Sequence, residues 1–272
     1  MTRIVDIEAL GALVAAGSKL ALPTDYAGVS MAMTRDLIRR RVGALHVVCV
    51  PAGGMDVDML IGAGLVATLE TSAVSLGEAG AAPRFTRAAM SGSVTLLDAT
   101  CPAIHAGLIA AQKGVPFLPL RGLLGTDVLR NRPDWRVIDN PFAAGSDPIV
   151  AIPAIVPDVA IFHAPMADRF GNVWIGRRRE LATMAYAARR SLVTVERLVE
   201  EDLLGSELSA AGVLPSLYVD AVAEARHGAA PCGLWGEYKP DAAELARYAA
   251  MARTEAGFRD YLAGLGLTAA AS

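Results

Sequence analysis

The chain has 272 residues, of which 53% are hydrophobic, and its 25 basic and 28 acidic residues leave a net charge of -3. A chain of this length and composition can bury a large core, which argues against disorder. A nucleic-acid-binding protein needs a basic surface that neutralises phosphates, and this charge balance offers none. We therefore expect a folded protein without a nucleic-acid partner.

The number and spacing of the cysteines indicate the redox compartment of the protein. Cys49, Cys101 and Cys232 lie far apart, without the paired spacing of a zinc site or a disulfide framework. We expect a cytoplasmic protein with no metal. The N-terminal segment has acidic residues where a signal peptide needs basic ones, so we expect a first helix leading into a strand. The uncharged runs at 42–55 and 99–112 are too short and too interrupted to cross a bilayer, and no membrane partner is expected.

The first half of the chain alternates helix-like and strand-like segments. "MAMTRDLIRRRV" has one apolar and one basic face and predicts a helix, and "ALHVVCV" after it predicts a buried strand. The alternation continues through a helix near "DVDMLIGA", the strand "LVATLET", a helix after Pro83, the strand "SVTLLD", the helix "AIHAGLIAAQKG" and the strand "VPFLPL". This rhythm predicts an α/β fold with an open, mostly parallel sheet and helices on both faces.

After Asp127 the pattern changes. The segments "DWRVID", "DPIVAIPAI", "DVAIFHA" and "NVWIG" leave no room for crossover helices, so we expect a cluster of short strands joined by hairpins or a meander. The helix "RRELATMAYAARR" and the apolar run "SLVTVERLV" restore the α/β rhythm, and the last part predicts one or two C-terminal helices. With no repeat and no long linker, we predict a single domain over residues 1–272 whose tail "TAAAS" is frayed.

Several known catalytic motifs are missing. The sequence has no GxSxG, HExxH or GxxxxGK[ST] pattern and so no basis for serine hydrolase, zincin or P-loop chemistry. "GAGLVA", residues 62–67, fits a relaxed dinucleotide pattern but follows a helix and precedes a strand, and a helix-ending glycine explains it better. His46, His105 and His163 lie in apolar surroundings and are interpreted as hydrogen-bonded core residues.

Acidic residues near strand ends are better candidates. Glu70 and Glu78 belong to or follow the strand "LVATLET", and Asp98 ends the strand "SVTLLD". In an open parallel sheet, ligands bind at the carboxyl ends of the strands, so we name Glu78 and Asp98 as candidate catalytic residues. Capping of the helix that begins near Pro102 is the alternative role of Asp98.

The segment "LRGLLGTD" follows the next predicted strand and would place Arg121 at the same sheet edge. A guanidinium binds a carboxylate or phosphate with two hydrogen bonds, which makes Arg121 a third candidate. Backbone N–H groups near Gly122 and Gly125 offer an anion-binding loop that includes Thr126. A surface salt bridge is the alternative role of Arg121.

Four segments resemble a known family: "LIGAGLVATLETSAVSLGEAGAAPRFTRAAMSG", "AAQKGVPFLPLRGLLGTD", "AIPAIVPDVAIFHAPMADRFGNVWIG" and "AARRSLVTVERLV". In order and spacing they are similar to the α subunit of family I coenzyme A transferases, in particular glutaconate CoA-transferase-like members. The resemblance covers nearly the whole chain from about residue 20. It implies the open α/β fold shared with sugar-phosphate isomerases. It also implies a β-subunit partner, often in an α2β2 heterotetramer, with the active site where the two chains meet.

The resemblance implies an activity divided between two chains. In heteromeric relatives, the acyl-CoA thioester is attacked by a glutamate of the β subunit, which forms an acyl anhydride and then a glutamyl-CoA thioester. This chain is thus expected to lack the nucleophile and to form one wall of the acyl-CoA site. The three candidate catalytic residues and the candidate anion-binding loop would belong to that wall. Coenzyme A is then a substrate, and no tightly bound cofactor is expected.

Two segments depart from the family pattern. Relatives often have a glycine-rich turn where this chain has "ALPTDYAGVSMAM", and an ExxE-like segment where it has "DATC", residues 98–101. Some relatives act as hydrolases of ring-opened steroid CoA thioesters and use an acidic residue of that segment. Two alternatives therefore stay open, one a hydrolase subunit, the other a noncatalytic structural subunit. A sugar-phosphate isomerase rests on fold analogy alone, and the sequence lacks the clustered basic residues it would need.

Overall fold

Strands and helices alternate along the computed structural model, which describes residues 2–268. The end of the predicted frayed tail, residues 269–272, lies outside them. The strands are β1 (Arg3–Val5), β2 (Lys19–Pro23), β3 (Leu45–Val50), β4 (Val66–Thr71), β5 (Thr95–Asp98), β6 (Phe117–Leu120), β7 (Arg136–Asp139), β8 (Pro148–Pro153), β9 (Val159–Asp168), β10 (Val173–Trp174), β11 (Ser191–Val199), β12 (Val213–Leu214) and β13 (Ala221–Glu224). The helices are α1 (Ile7–Gly11), α2 (Met31–Arg40), α3 (Met55–Gly62), α4 (Pro83–Ser91), α5 (Cys101–Lys113), α6 (Asp127–Arg130), α7 (Arg179–Ala187), α8 (Glu207–Ala210), α9 (Ala242–Met251) and α10 (Glu255–Gly264).

The main sheet is parallel along its whole width. Its strand order is β1-β13-β11-β9-β2-β3-β4-β5, and every neighbouring pair in that order runs parallel. The short strands β10 and β12 pair antiparallel beside β9. The predicted open, mostly parallel sheet is therefore confirmed.

Two hydrophobic cores cover the two faces of this sheet. Along β2 and β3, Leu20 and Val47 belong to one core, and the next residues, Ala21 and Val48, belong to the other. This alternation follows from the strand geometry, in which successive side chains point to opposite faces. Helices α2, α3, α9 and α10 contribute to the first core, and α5 and α7 contribute to the second. Helices on both faces are thus confirmed.

The strand "VPFLPL" does not continue the parallel sheet. It is β6, which pairs antiparallel with β8 in a separate sheet of order β6-β8-β7. The expectation that Arg121 stands at the same sheet edge as Asp98 is therefore wrong. Pro119 lies within β6 and lacks a backbone N–H, which confines it to an edge strand. In the small sheet β6 is an edge strand.

The region after Asp127 is only partly a cluster of short strands. Strands β7 and β8 pair antiparallel, as predicted. "DVAIFHA", however, lies in β9, a ten-residue strand between β2 and β11 of the main sheet. Its nearly continuous burial is typical of an interior parallel strand. No crossover helix is needed before it because β8 and β9 belong to different sheets.

The structure confirms two further interpretations of the sequence, the helix-ending role of a glycine after α3 and the presence of two C-terminal helices. Gly64 follows α3 with a φ of 74°, and the N–H groups of Gly64 and Leu65 donate to the carbonyls of Ile61 and Leu60. This is the Schellman arrangement, so Gly64 of "GAGLVA" serves to end the helix. The two C-terminal helices are also present. Within residues 2–268, no helix combines the length and apolarity that a bilayer crossing requires.

Candidate functional site

A cleft of about 1060 Å³ opens at the carboxyl ends of β2, β3 and β4. The loops after these strands line one part of it, with residues 24–26, 52–54 and 75–79. The segment 232–240 and the start of α9 line the rest. Because ligands of open parallel sheets bind at the carboxyl edge, this cleft is the candidate active site.

Aromatic and aliphatic side chains dominate the cleft. Tyr26 and Trp235 are exposed within its lining, which also contains the buried or partly buried side chains of Leu76, Leu234 and Leu245. The guanidinium of Arg177 lies 4.6 Å from the centre of the Trp235 ring. Exposed aromatic side chains on a concave surface are typical of a binding site or of an interface.

Three carboxylates and one lysine complete the lining. Glu237 forms an ion pair with Arg197, with both carboxylate oxygens 2.9 Å from Nη1. Glu78 lies on an exposed turn and makes no ion pair or hydrogen bond with another described residue. Asp25 and Lys239 are the remaining charged groups of the lining. The structure thus brings the predicted Glu78 to the cleft, and the charge of the lining is on balance negative.

Asp25 lies where β2 meets the first turn of α3. Its two carboxylate oxygens each lie 3.2 Å from the backbone N–H of Met55, which donates to them. Burial raises the pKa of Asp25 to about 6. A Cβ on Gly54 would lie 1.9 Å from Asp25 Oδ1, so only glycine leaves room for this carboxylate. In the sequence, this segment stands out only because it lacks the glycine-rich turn of its relatives. Asp25 is not among the residues that the sequence pattern singles out. Its position two residues beyond a strand end was the available signal.

Asp98 ends β5, and its register partner on β4 is Thr71. Its exposed carboxylate makes no hydrogen bond or ion pair within residues 2–268. The alternative role as a helix cap is wrong, because the N-cap of α5 is Thr100. Cys101, the first residue of α5, donates a hydrogen bond of 3.3 Å from Sγ to Ser72 Oγ. Asp98 is therefore a free carboxylate at the carboxyl edge, outside the cleft lining.

Arg121 is held in the small sheet. It forms a two-pronged ion pair with Asp147, in which Nη2 lies 2.7 Å from Oδ2. Asn140 also donates to Asp147, and these contacts lower the pKa of Asp147 to about 2. The Arg121 side chain is 62% exposed. Arg121 and the loop residues that follow it do not line the cleft, and those loop residues are Gly122, Gly125 and Thr126.

A buried ion pair joins the main sheet to the turn between α6 and β7. Glu70 Oε1 at the end of β4 lies 2.8 Å from Arg132 Nη2, and both side chains are 3% exposed. Arg132 also donates to Asp134 and, over 3.2 Å, to the carbonyl oxygen of Asp98. Its guanidinium lies 4.2 Å from the centre of the Trp135 ring. Arg132 therefore positions the backbone of Asp98, and no local pattern in the sequence pointed to it.

The histidines differ in their surroundings. His163 is fully buried, with Nδ1 2.8 Å from Thr194 Oγ1 and Nε2 2.7 Å from Glu196 Oε1, as expected for a hydrogen-bonded core residue. His46 is only half-buried, and its Nε2 lies 3.6 Å from Glu70 Oε2. His105 is half-buried without a hydrogen-bond partner among the described side chains, and burial lowers its pKa. The core interpretation is therefore confirmed for His163 and wrong for His105, whereas His46 is partly buried and keeps a contact with Glu70.

Glu196 fixes the chain segment that leads into one wall of the cleft. It accepts hydrogen bonds from Tyr238 Oη at 2.7 Å and from the backbone N–H groups of His227 and Gly228, in addition to its contact with His163. Burial opposes ionisation, but these hydrogen bonds hold the pKa of Glu196 at about 2. Since Tyr238 lines the cleft, Glu196 links the buried β9 and β11 strands to the cleft wall.

Comparison with known sequences identifies the family. The family model for coenzyme A transferase matches residues 7–225. The chain belongs to the coenzyme A transferase family. It is 32% identical to one subunit of glutaconate CoA-transferase from Acidaminococcus fermentans over 76% of this chain and 69% of that protein. The cholesterol ring-cleaving hydrolase IpdA subunit of Rhodococcus jostii is 33% identical over 86% of this chain and 81% of that protein.

Known structures confirm the fold. Glutaconate coenzyme A-transferase from Acidaminococcus fermentans superimposes with a TM-score of 0.88 at 26% identity, over 97% of this chain and 88% of that chain.

An uncharacterized protein of Archaeoglobus fulgidus is 34% identical over 86% of this chain, but the chain spans only 52% of that longer protein. The resemblance to CoA-transferase α subunits is therefore confirmed over most of the chain.

Proposed function

We propose that this chain is the α subunit of a heteromeric acyl-CoA transferase, in which it forms one wall of the acyl-CoA site. The nucleophilic glutamate comes from a β subunit, and the complex is an α2β2 heterotetramer in the cytoplasm. Two relatives are named as single subunits of transferases, glutaconate CoA-transferase and 3-oxoadipate CoA-transferase, which supports the division into two chains. Coenzyme A enters as a substrate, and no tightly bound cofactor is required.

The observation that carries this proposal is the state of the carboxylates in the cleft. A nucleophilic carboxylate must be ionised, unpaired and held in position. Glu237 is paired with Arg197, Asp25 is largely buried with a raised pKa, and Glu78 is free but lies on an exposed turn with no contact that orients it. None of the described lining residues meets all three conditions, so a nucleophile from a partner is needed.

The remaining candidates fit a site that extends beyond the cleft. We propose that Asp98 faces the acyl-CoA from the neighbouring strand β5, with Arg132 holding its backbone. We propose Arg121 and the loop with Gly122, Gly125 and Thr126 as an outer anion-binding element. To bind a substrate anion, the guanidinium of Arg121 has to release the carboxylate of Asp147. Substitution of Asp98 by asparagine is accordingly expected to reduce turnover more than substitution of Arg121 by alanine.

A CoA-thioester hydrolase is the second candidate. It is supported by the similarity to the IpdA hydrolase and by the cleft itself, which is large, mainly apolar and lined by Lys239 as its one cation among the described residues. A short dicarboxylate acyl group needs a cation for its distal carboxylate, whereas a bulky apolar acyl group does not. The cleft therefore suits a bulky apolar acyl group in either reaction.

The two candidates predict different products. The complex with the β subunit is incubated with an acyl-CoA and an acceptor carboxylate, and chromatography with mass spectrometry separates free CoA from a new thioester. We expect a new thioester and little free CoA. Free CoA that forms at the same rate without acceptor would favour the hydrolase. A turnover that is unaltered by both Asp98→Ala and Arg121→Ala would favour a structural subunit.

A further inference from the structure

A short hairpin at the rim of the cleft holds Trp235 out of the core. The backbones of Leu234 and Tyr238 pair in both directions at 3.0 Å, and Gly236 lies in the turn between them with a φ of 83°. Trp235 belongs to this turn, lines the cleft and is 63% exposed. A large aromatic side chain left exposed on a concave surface indicates a contact with a ligand or a partner.

Side-chain contacts fix both strands of the hairpin. Tyr238 Oη donates to Glu196 Oε1 at 2.7 Å, and Glu237 pairs with Arg197 of β11. The side chain of Leu234 is buried and anchors the other strand. The indole at the tip is therefore held in place before any ligand arrives, and a ligand that contacts it loses little free energy in ordering the hairpin.

The charges beside the indole are on balance positive. The guanidinium of Arg177, 4.6 Å from the ring centre, forms no ion pair within residues 2–268. Lys239, directly after the hairpin, is exposed and also forms no ion pair with another described residue. The glutamate of the hairpin is neutralised by its arginine partner. The other two carboxylates of the lining, Asp25 and Glu78, belong to the loops that form the other part of the cleft.

A planar ring that carries negative charge matches this surface. Arg177 covers one face of the indole, and the exposure of the side chain leaves the other face for a second ring. Nucleobases stack on exposed aromatic side chains without needing specific hydrogen bonds. Guanidinium and ammonium groups bind phosphate oxygens. The nucleotide end of coenzyme A combines an adenine ring with a 3′-phosphate and a 5′-diphosphate.

We propose that Trp235 stacks on the adenine ring of the acyl-CoA and that Arg177 and Lys239 bind its phosphates. This inference rests on the proposed function, which supplies acyl-CoA as the substrate, and it adds the place of the nucleotide. The pantetheine arm then runs from the rim into the apolar cleft, toward the carboxyl ends of β2, β3 and β4. Trp235 takes no part in the chemistry and selects CoA thioesters over thioesters that lack the nucleotide.

Tryptophan fluorescence gives a direct test. The complex of this chain with its β subunit is titrated with CoA, with adenosine 3′,5′-bisphosphate and with phenylacetate. Stacking on the exposed indole is expected to quench the fluorescence with CoA and with the bisphosphate, and phenylacetate is expected to have no effect. Trp135 is buried and Trp174 is half-buried, so the quenching is expected to disappear in Trp235→Phe.

Calorimetry of the same complexes measures the affinity for CoA. Trp235→Ala is expected to weaken binding about tenfold, whereas Trp235→Phe keeps a ring for stacking and most of the affinity. Arg177→Ala is expected to weaken binding by up to about fivefold at low salt and by less at high salt. The matched controls are Phe142→Ala and Arg226→Ala, which remove exposed side chains outside the cleft lining and are expected to leave the affinity unchanged.

Transfer kinetics provide a second readout. The complex is given an acceptor carboxylate and either an acyl-CoA or the matching acyl-pantetheine, and the new thioester is measured. Trp235→Ala is expected to lower kcat/KM for the acyl-CoA about tenfold. It is expected to leave kcat/KM for the acyl-pantetheine unchanged, because that substrate has no nucleotide to stack. A merely structural role of Trp235 would lower both values together.

The outcomes separate this inference from the proposed function. An unaltered complex that binds CoA but forms no new thioester with any acceptor would contradict the proposed function. An active Trp235→Ala complex with unchanged CoA affinity would overturn the nucleotide site alone. Quenching by phenylacetate but not by the bisphosphate would assign the indole to the acyl group and also overturn it. Loss of the β subunit from Trp235→Ala in gel filtration, with CoA affinity retained, would show that the hairpin contacts the partner instead.

Discussion

Replacement of Arg132 by alanine is expected to lower the free energy of unfolding by about 3–5 kcal/mol, the largest loss of any single substitution considered for this chain. The change leaves Glu70 in the interior without its partner, at 3% exposure. Burial alone would raise the pKa of Glu70. In the unaltered chain, the contacts with His46 and Arg132 outweigh burial and keep this pKa below its ordinary value. Loss of Arg132 removes most of that compensation and also a hydrogen bond to the Asp98 carbonyl.

A neighbouring arginine provides the matched control. Arg130 pairs with Asp127, but the two side chains are 77% and 83% exposed. Exposed pairs contribute between zero and about 1 kcal/mol, so Arg130→Ala is expected to have little effect. Urea unfolding of both variants measures the difference. Equal losses would show that the buried Glu70–Arg132 pair contributes no more to stability than the exposed Arg130–Asp127 pair.

A double variant tests the pair itself. If Glu70 destabilises the Arg132→Ala variant through its unpaired charge, the added change Glu70→Ala is expected to cost much less than it does alone. The predicted coupling is about 1–3 kcal/mol. Additive losses would mean that the two side chains act separately.

Replacement of Glu196 by glutamine is expected to lower the free energy of unfolding at pH 7 by about 2–3 kcal/mol. Glutamine keeps the shape but cannot match the charge-assisted hydrogen bonds from His163, Tyr238 and His227. The pKa of Glu196 is lowered from 4.5 to about 2 on folding, so its stabilisation is complete above pH 4.5 and is lost as the pH falls toward 2. The difference between the variant and the unaltered chain is therefore expected to shrink in acid.

Glu200, just beyond the end of β11, serves as the control for this prediction. Its side chain is 90% exposed and 3.8 Å from Arg169, so Glu200→Gln is expected to change stability by less than about 0.5 kcal/mol. Chemical unfolding at about pH 7 and about pH 3.5 gives both comparisons. A Glu196→Gln variant whose deficit is the same at the two pH values would contradict the assigned hydrogen-bond network.

Local patterns in the sequence were sufficient for most of the fold. The alternation of helices and strands, the helix-ending glycine after α3 and the apolar interior strands all follow from spacing within a few residues. Which sheet a strand joins does not follow from such local spacing. Whether β6 joins the parallel sheet depends on its pairing with β8, about 30 residues away in the chain. The proline within β6 was the one local sign that it could not be an interior strand.

The candidate site shows the same limit more sharply. Glu78 was predicted because it follows a strand, and it lies in the cleft. The guanidinium of Arg121 can bind an anion, but in the structure it is already paired with the carboxylate of Asp147. Asp25 and Arg132 acquire their surroundings from partners that folding brings to them, Met55 and Glu70, which lie 30 and 62 residues away in the chain. Separations of this kind are not visible in periodicity or motif spacing.

The central claim is that the reacting glutamate belongs to the partner and not to this chain. The most direct measurement is to mix the complex with an acyl-CoA, reduce the glutamyl-CoA thioester with borohydride, and locate the modified glutamate by peptide mass spectrometry. We expect the modification on a β-subunit peptide and none on the peptide that carries Glu78. A reduced glutamate in this chain would contradict the division of the site between two polypeptides.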